Sequence, residues 1–202
     1  MIEKLHALVK SRMGEKRFAH TLGVVKMADY LGAKCLPDMR KELVYAAYLH
    51  DITKELSDSE QNELLLQCGF ELTKSERLSK PIHHSYTAPI VILRDFPEYA
   101  TENVLSAVLK HTVLDPDMSL FDEIIYVADF IEENRTYTAC IDMRDYVLSS
   151  VSDNISDNVM LIHRATLKII DFTLDFIKRK NLFVIDKTLL AKEALERKIK
   201  QI

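Results

Sequence analysis

The sequence predicts an all-α protein of one domain, and three observations carry that prediction. Only 4 Gly and 5 Pro occur among 202 residues, against an average usage of roughly 7% and 5%, so the punctuation that short strands and tight turns need is scarce. Apolar residues recur at i, i+4 and i+7, the spacing of helices with one buried side. Ser57 with Glu60, and Thr73 with Glu76, have the spacing of capping boxes that start helices. With 48% hydrophobic and 29% charged residues, the composition is that of a folded globular chain.

The first predicted helix covers 17–31, with Phe18, Leu22 and Val25 on one stripe and Val24, Ala28 and Leu31 beside it. The next covers 39–54, where the unbroken run Leu43 to Leu49 implies burial nearly all round and ends in His50-Asp51. Short helices follow at 58–68, closed by Gly69, and at 74–80. Pro81 breaks the chain, and a helix over 87–96 tolerates Pro89 only in its first turn. Further helices cover 102–111 and 119–133, the second with Ser119 as N-cap, separated by the loop Asp115-Pro116-Asp117. Helices at 138–150, 154–180 and 187–202 complete the chain, the last two joined by an apolar connector, 181–186, with the character of an extended strip. No repeat and no Gly-, Ser- or Pro-rich linker divides residues 1–202.

The formal charge of -4 arises from 27 basic and 31 acidic residues that are interspersed along the chain. No broad positive surface is left for a nucleic-acid backbone, so nucleic acid is not expected as a partner. Cys35, Cys68 and Cys140 are an odd set without CxxC spacing, which argues against a disulfide framework and a thiolate zinc site. The N-terminus, Met1 to His6, lacks the basic and apolar regions of a signal peptide, and no apolar run approaches the roughly 18 residues of a membrane span. A cytoplasmic protein without membrane contact is expected, either a monomer or a homodimer.

The chemistry is expected where ionisable residues interrupt apolar helices. Asp129 stands inside Ile124 to Ile131, His50-Asp51 ends the run from Leu43, His20 lies between Ala19 and Val24, and His111 follows Val104 to Lys110. A single buried histidine is more often a satisfied core residue, but a buried carboxylate is costly without a cation or strong donors. A metal centre removes that cost, because imidazole and carboxylate suit Fe, Mn, Zn or Ni and neighbouring helices can aim them into one cavity. His50 and Asp51, about 100° apart on a helix, can straddle one ion, or the Asp can bridge two. Lys54 and Arg135 follow the proposed ligands closely enough to meet a phosphate. His6 and His163 have ordinary amphipathic surroundings and read as structural.

On these residues the sequence resembles the HD-domain metal-dependent phosphohydrolases, with His20, His50-Asp51 and Asp129 in the places of their signature. It is most similar to the YqeK-like symmetrical bis(5'-nucleosyl)-tetraphosphatases. Their motifs match His20 to Val24, His50 to Lys54, His111-Thr112, and Ile124 to Arg135, over about residues 2–185. Two departures are visible: Val113-Leu114 stand where the family has a glycine, which could narrow the substrate mouth, and Glu133 stands where it has proline, which alters a helix end.

The resemblance implies a single HD domain over 1–202, with its metal-bearing core at about 17–135 and the helices from 138 completing the bundle. It implies an iron-type cation, with Mn, Zn, Co or Ni as substitutes, held by His20, His50, Asp51 and Asp129 as one or two ions. The family has one histidine near residue 83; spacing to Ala88 favours His83 over His84. Asp51, His83 and His111 are then the catalytic candidates, with His83 and His111 facing substrate or a second metal and His111 available to protonate the leaving group. Lys54, Thr112 and Arg135 are candidates for phosphate, as is His20 beside them. The connector Lys180, Asn181, Leu182, Phe183, Val184 and Ile185 is the candidate for adenine. The implied reaction is symmetrical cleavage of diadenosine tetraphosphate into two ADP, a small-molecule dinucleoside polyphosphate being the partner. Competing readings are another HD nucleotide phosphohydrolase, a monophosphatase or phosphodiesterase, and a nucleotide-sensing module without turnover.

Overall fold

Four helices at the centre of the molecule pack in a ring, and they are the four that carry His20, His50, His111 and Asp129. In order along the chain of the computed structural model, which describes residues 1–201, the helices are α1 (Ile2–Lys10), α2 (Glu15–Cys35), α3 (Arg40–Leu49), α4 (Asp58–Gln67), α5 (Lys74–Leu78) and α6 (His83–Asp95). They continue with α7 (Glu102–Val113), α8 (Leu120–Ile131), α9 (Thr138–Ser150), α10 (Ile155–Arg179) and α11 (Asp186–Lys200). No strand occurs among the described residues. The end of the last predicted helix, Ile202, lies outside them.

In the ring, α2 packs on α3, α3 on α7, α7 on α8 and α8 back on α2. The run from Leu43 to Leu49 is buried on every side, as its composition predicts, because α3 is enclosed by its neighbours. Helix α6 leans on α7, and α10 covers α8, α9 and α2 while receiving α11. One hydrophobic core runs through these layers from Leu5 and Val9 of α1 to Ala191 and Leu195 of α11. The capping boxes at Ser57 and Thr73 form with both reciprocal bonds, and Ser119 makes a third with Asp122.

Three expectations are corrected. Helix α1 was not predicted, although Leu5 and Val9, one turn apart, anchor it in the core. Helix α6 begins at His83 and carries Pro89 in its interior instead of its first turn. The missing N–H there costs about 3 kcal/mol, offset by burial of Ala88, Val91 and Ile92. Val113 and Leu114 do not narrow a mouth: both side chains are buried, Leu114 in the main core and Val113 in a smaller cluster with Leu65 and Tyr86. Leu114 instead occupies a backbone conformation, φ 61° and ψ 168°, that glycine adopts without strain.

The connector after α10 opens on a turn and is extended where it enters α11, at Ile185 with φ -88° and ψ 130°. Asn181 turns the chain with φ 53°; Leu182 and Phe183 are exposed, whereas Ile185 is buried in the smaller cluster.

Candidate metal centre

His50 stands at the C-terminus of α3, completely buried, and its Nδ1 lies 2.7 Å from the carbonyl of Ala47. A carbonyl only accepts, so Nδ1 carries the proton and Nε2 offers a bare lone pair. His111, near the end of α7, repeats this device against the carbonyl of Val108 at 2.6 Å. In both, the helix's own backbone three residues earlier sets the tautomer.

His20, on α2, is set from outside its helix. Its Nδ1 faces Oε1 of Glu132 at 3.2 Å, and its Nε2 faces Nε2 of His50 at 3.3 Å and Oδ1 of Asp129 at 3.0 Å. Glu132, next after α8, is 1% exposed, and its other oxygen accepts from the backbone N–H of Asn134 at 2.6 Å. Gly23, one turn along α2 from His20, makes room for it: a Cβ there would sit 2.1 Å from Glu132 Oε2. Burial acts to lower the His20 pKa, but the Asp129 and Glu132 carboxylates outweigh it and raise the value to about 9. With Nδ1–H directed at Glu132, the His20 and His50 lone pairs oppose each other unless a proton or a metal lies between them.

Asp51 lies between two groups of candidate ligands. Its Oδ1 is 3.2 Å from His84 Nε2 and 3.7 Å from His111 Nε2. Its Oδ2 is 3.4 Å from His50 Nε2, 3.7 Å from His20 Nε2 and 2.6 Å from Nη1 of Arg17, which donates to it. Although burial acts to raise it, the surrounding imidazoles hold the Asp51 pKa well below the ordinary carboxylate value. His20, His50 and Asp129 bring one donor atom each to within 4.8 Å of one another, and Asp51, His84 and His111 do the same. Nitrogen and oxygen donors of this kind fit Fe, Mn, Zn, Co or Ni, and a carboxylate oriented to both groups fits one ion or two.

The structure corrects one candidate. His83 turns away and donates from Nε2 to the carbonyl of Glu76 at 3.0 Å. His84 takes the place beside Asp51, with Nε2 3.0 Å from His111 Nε2. Adjacent positions at the start of α6 differ by about 100°, and His84 shares its face with Ala88 one turn on. Its pKa is lowered to about 4, by burial first, so the ring is neutral as a ligand must be. Thr53 fixes this helix by donating to the His84 carbonyl at 3.0 Å.

Around the ligands stand the phosphate candidates. Lys54 Nζ donates to the carbonyl of Pro81 at 3.1 Å, and burial lowers its pKa. Arg135 donates from Nη2 to Asp129 Oδ1 at 2.6 Å. The Thr112 hydroxyl is 3.2 Å from His84 Nε2. Sequence reasoning missed Arg17, Glu132 and Arg144. Arg144 holds the loop after α8, donating to the carbonyls of Ile131 at 2.6 Å, of Glu132, and of Arg135 at 2.8 Å. An arginine nine residues downstream of the loop it holds leaves no local signature.

The ligand cluster opens into a cleft with two arms. One, about 850 Å³, passes Tyr126, Phe130, Phe172 and Phe176 towards Arg179 and Lys180. The other, about 520 Å³, passes Lys16, Arg17, Asn134 and Thr136. Asn181 to Ile185 line neither.

The HD domain family matches residues 17–134, from Arg17 on α2 to Asn134 in the loop after α8, and thereby takes in the whole set of candidate ligands. The chain belongs to the HD domain family. Such domains are metal-dependent, and this HD domain brings together the donors for it. The chain is 27% identical over 188 residues to the symmetrical bis(5'-nucleosyl)-tetraphosphatase of Bacillus subtilis, covering 93% of this chain and 94% of that one. It is 32% identical over 161 residues to the protein of that name from Halalkalibacterium halodurans, covering 74% and 82%. A crystal structure described as a predicted HD superfamily hydrolase involved in NAD metabolism, from Clostridium acetobutylicum, superposes with a TM-score of 0.84 at 26% identity, covering 98% of each chain. Among the described residues, no helix of this HD protein is long and apolar enough to cross a membrane.

Proposed function

We propose that this HD-family hydrolase cleaves diadenosine tetraphosphate symmetrically into two ADP, with iron as its cation. The observation that carries this reading is Asp51, oriented to two ligand groups at the floor of a cleft that joins basic residues to an aromatic arm. Names of relatives at 26–32% identity support the substrate.

His20, His50, Asp51 and Asp129 would hold the ion, with Asp51, His84 and His111 able to hold a second. Bound there, the metal polarises a phosphoryl oxygen and lowers the pKa of water. The protein's part is positional. Arg135 keeps Asp129 in place with one Nη and faces the cleft, where a guanidinium meets phosphate oxygens. Lys54 and Thr112 add fixed donors where charge develops on the phosphoryl oxygens. His111 is read as a ligand and not as a proton donor, because its only N–H is committed to Val108. ADP is a fair leaving group without it. Adenine is read into the aromatic arm, where Phe130 and Phe172 meet edge to face at 5.8 Å, instead of onto the 180–185 connector. Only Lys180 of that connector remains in the site.

The test is chromatographic product analysis with the iron-loaded protein, diadenosine tetraphosphate and an Asp51→Asn control. ADP alone from the wild type, and nothing from the control, is the expected result. ATP with AMP would overturn symmetrical cleavage, and an untouched substrate would move the site to another phosphoester. For Arg135→Ala, assayed with metal in excess so that the centre stays filled, KM rises about tenfold or more, the loss of a charged hydrogen bond.

A further inference from the structure

The polar arm of the cleft is not used by the base pocket proposed above. The two arms share Lys54, His111, Thr112, Asp129, Arg135 and Tyr137 and then diverge. One gains the aromatic rings of α8 and α10; the other gains Lys16, Arg17 and Glu55 from the first turn of α2 and the segment after α3, with Asn134 and Thr136 from the loop after α8. Apart from the shared Tyr137, no aromatic ring other than histidine lines this second arm. A planar base would find little to stack on there, whereas oxyanions would find cations and hydroxyl and amide donors.

Arg17 and Arg135 are built alike. Each gives one Nη to a carboxylate of the ligand cluster, Arg17 to Asp51 and Arg135 to Asp129, both at 2.6 Å. Each keeps a buried Nε with no acceptor. An orphaned buried donor costs roughly 1–3 kcal/mol, and a guanidinium fork with unused donors at a cleft wall is suited to a bidentate anion. Arg135 lines both arms, while Arg17 lines only the polar one.

We propose that the polar arm is a phosphate-only subsite in which Arg17, with Lys16, holds the departing diphosphate. The protein then recognises a base on one half of its substrate and phosphates alone on the other. This rests on the hydrolase reading of the cleft. Water adds its oxygen to one of the two inner phosphorus atoms, and the bond from that phosphorus to the central bridging oxygen breaks. The bridging oxygen leaves on the other half. Diadenosine tetraphosphate thus gives two ADP, and adenosine 5'-tetraphosphate, lacking the second nucleoside, gives ADP and pyrophosphate. The substrate class is nucleoside 5'-tetraphosphates with or without a second nucleoside.

The experiment compares kcat/KM of the metal-loaded protein for these two nucleotides, in wild type, Arg17→Ala, Arg17→Lys and Lys16→Ala. Beside it, calorimetric binding of inorganic pyrophosphate is measured on the same proteins, with metal content determined before and after. The expected result is wild-type kcat/KM values within threefold of each other. Arg17→Ala loses tenfold or more on both, mainly through KM, and Arg17→Lys recovers part of it. Lys16→Ala, at an exposed position, loses less. Pyrophosphate affinity falls in the same order with metal content unchanged. A drop of more than tenfold on removing the second adenosine overturns the proposal, as does pyrophosphate affinity indifferent to Arg17. If the wild type consumes neither nucleotide, the tetraphosphatase reading fails, and pyrophosphate binding alone decides the subsite.

Discussion

Among the described residues, histidine is buried beside carboxylate in two places, and one of them is built as a site. Between α8, α10 and α11, His163 Nδ1 meets Glu123 Oε2 at 2.8 Å, and Lys198 donates to Glu123 Oε1 at 3.0 Å. Both carboxylate oxygens have a partner, and Glu123 is 1% exposed. At the candidate metal centre, the two oxygens of Asp51 face four imidazoles, and Nε2 of His20 and Nε2 of His50 point at each other across 3.3 Å. The first arrangement is complete as it stands; the second calls for a cation. Burial of ionisable groups is therefore common to both, and convergence of unshared donors on an open cleft is what separates a reactive centre from a structural clip.

Removing a ligand breaks the comparison at its strongest point. Asp129→Ala and His50→Ala each lose bound metal and activity, on the order of 10³-fold or more in kcat/KM. Metal analysis of the purified variants checks this, and full stoichiometric metal in both would sink the centre. Next in size, Glu132→Gln keeps the shape around His20 but removes the negative charge its imidazole faces and sets an NH2 donor against either the His20 Nδ1–H or the Asn134 N–H, so metal affinity falls about 10- to 100-fold, the usual cost of losing such a partner. Competition with a chelator measures it, and an unchanged affinity would show that His20 orients itself. Smallest for function is the clip. His163→Leu leaves Glu123 with Lys198 alone and destabilises the fold by about 2–4 kcal/mol, while metal content and kcat stay at wild-type values. Denaturant unfolding and metal analysis together test that separation.

How far the site was legible depended on distance along the chain. His20, His50, Asp51 and Asp129 announced themselves because each interrupts an apolar helix, a cost visible within one segment. His84 did not, because choosing it over His83 required the phase of α6, whose start lay four residues before the predicted one. Glu132 was hidden for a different reason: its role appears only when Gly23, more than a hundred residues earlier, leaves a space for it. The aromatic arm was hidden in the same way, since Phe172 and Phe176 read as one stripe of a long amphipathic helix until α10 is laid beside Tyr137 and Arg135.

By itself the sequence determined the helical fold class, the order of most elements and their caps, because periodic burial and N-cap bonds act over a few residues. It also determined which kinds of donor were available, nitrogen and oxygen without thiolate. Only the tertiary structure decided that Asp51 faces both ligand groups, that His84 stands beside it, and that two unlike arms leave the same floor. Those outcomes depend on where helices distant in sequence cross, and crossing is settled by packing of the whole core.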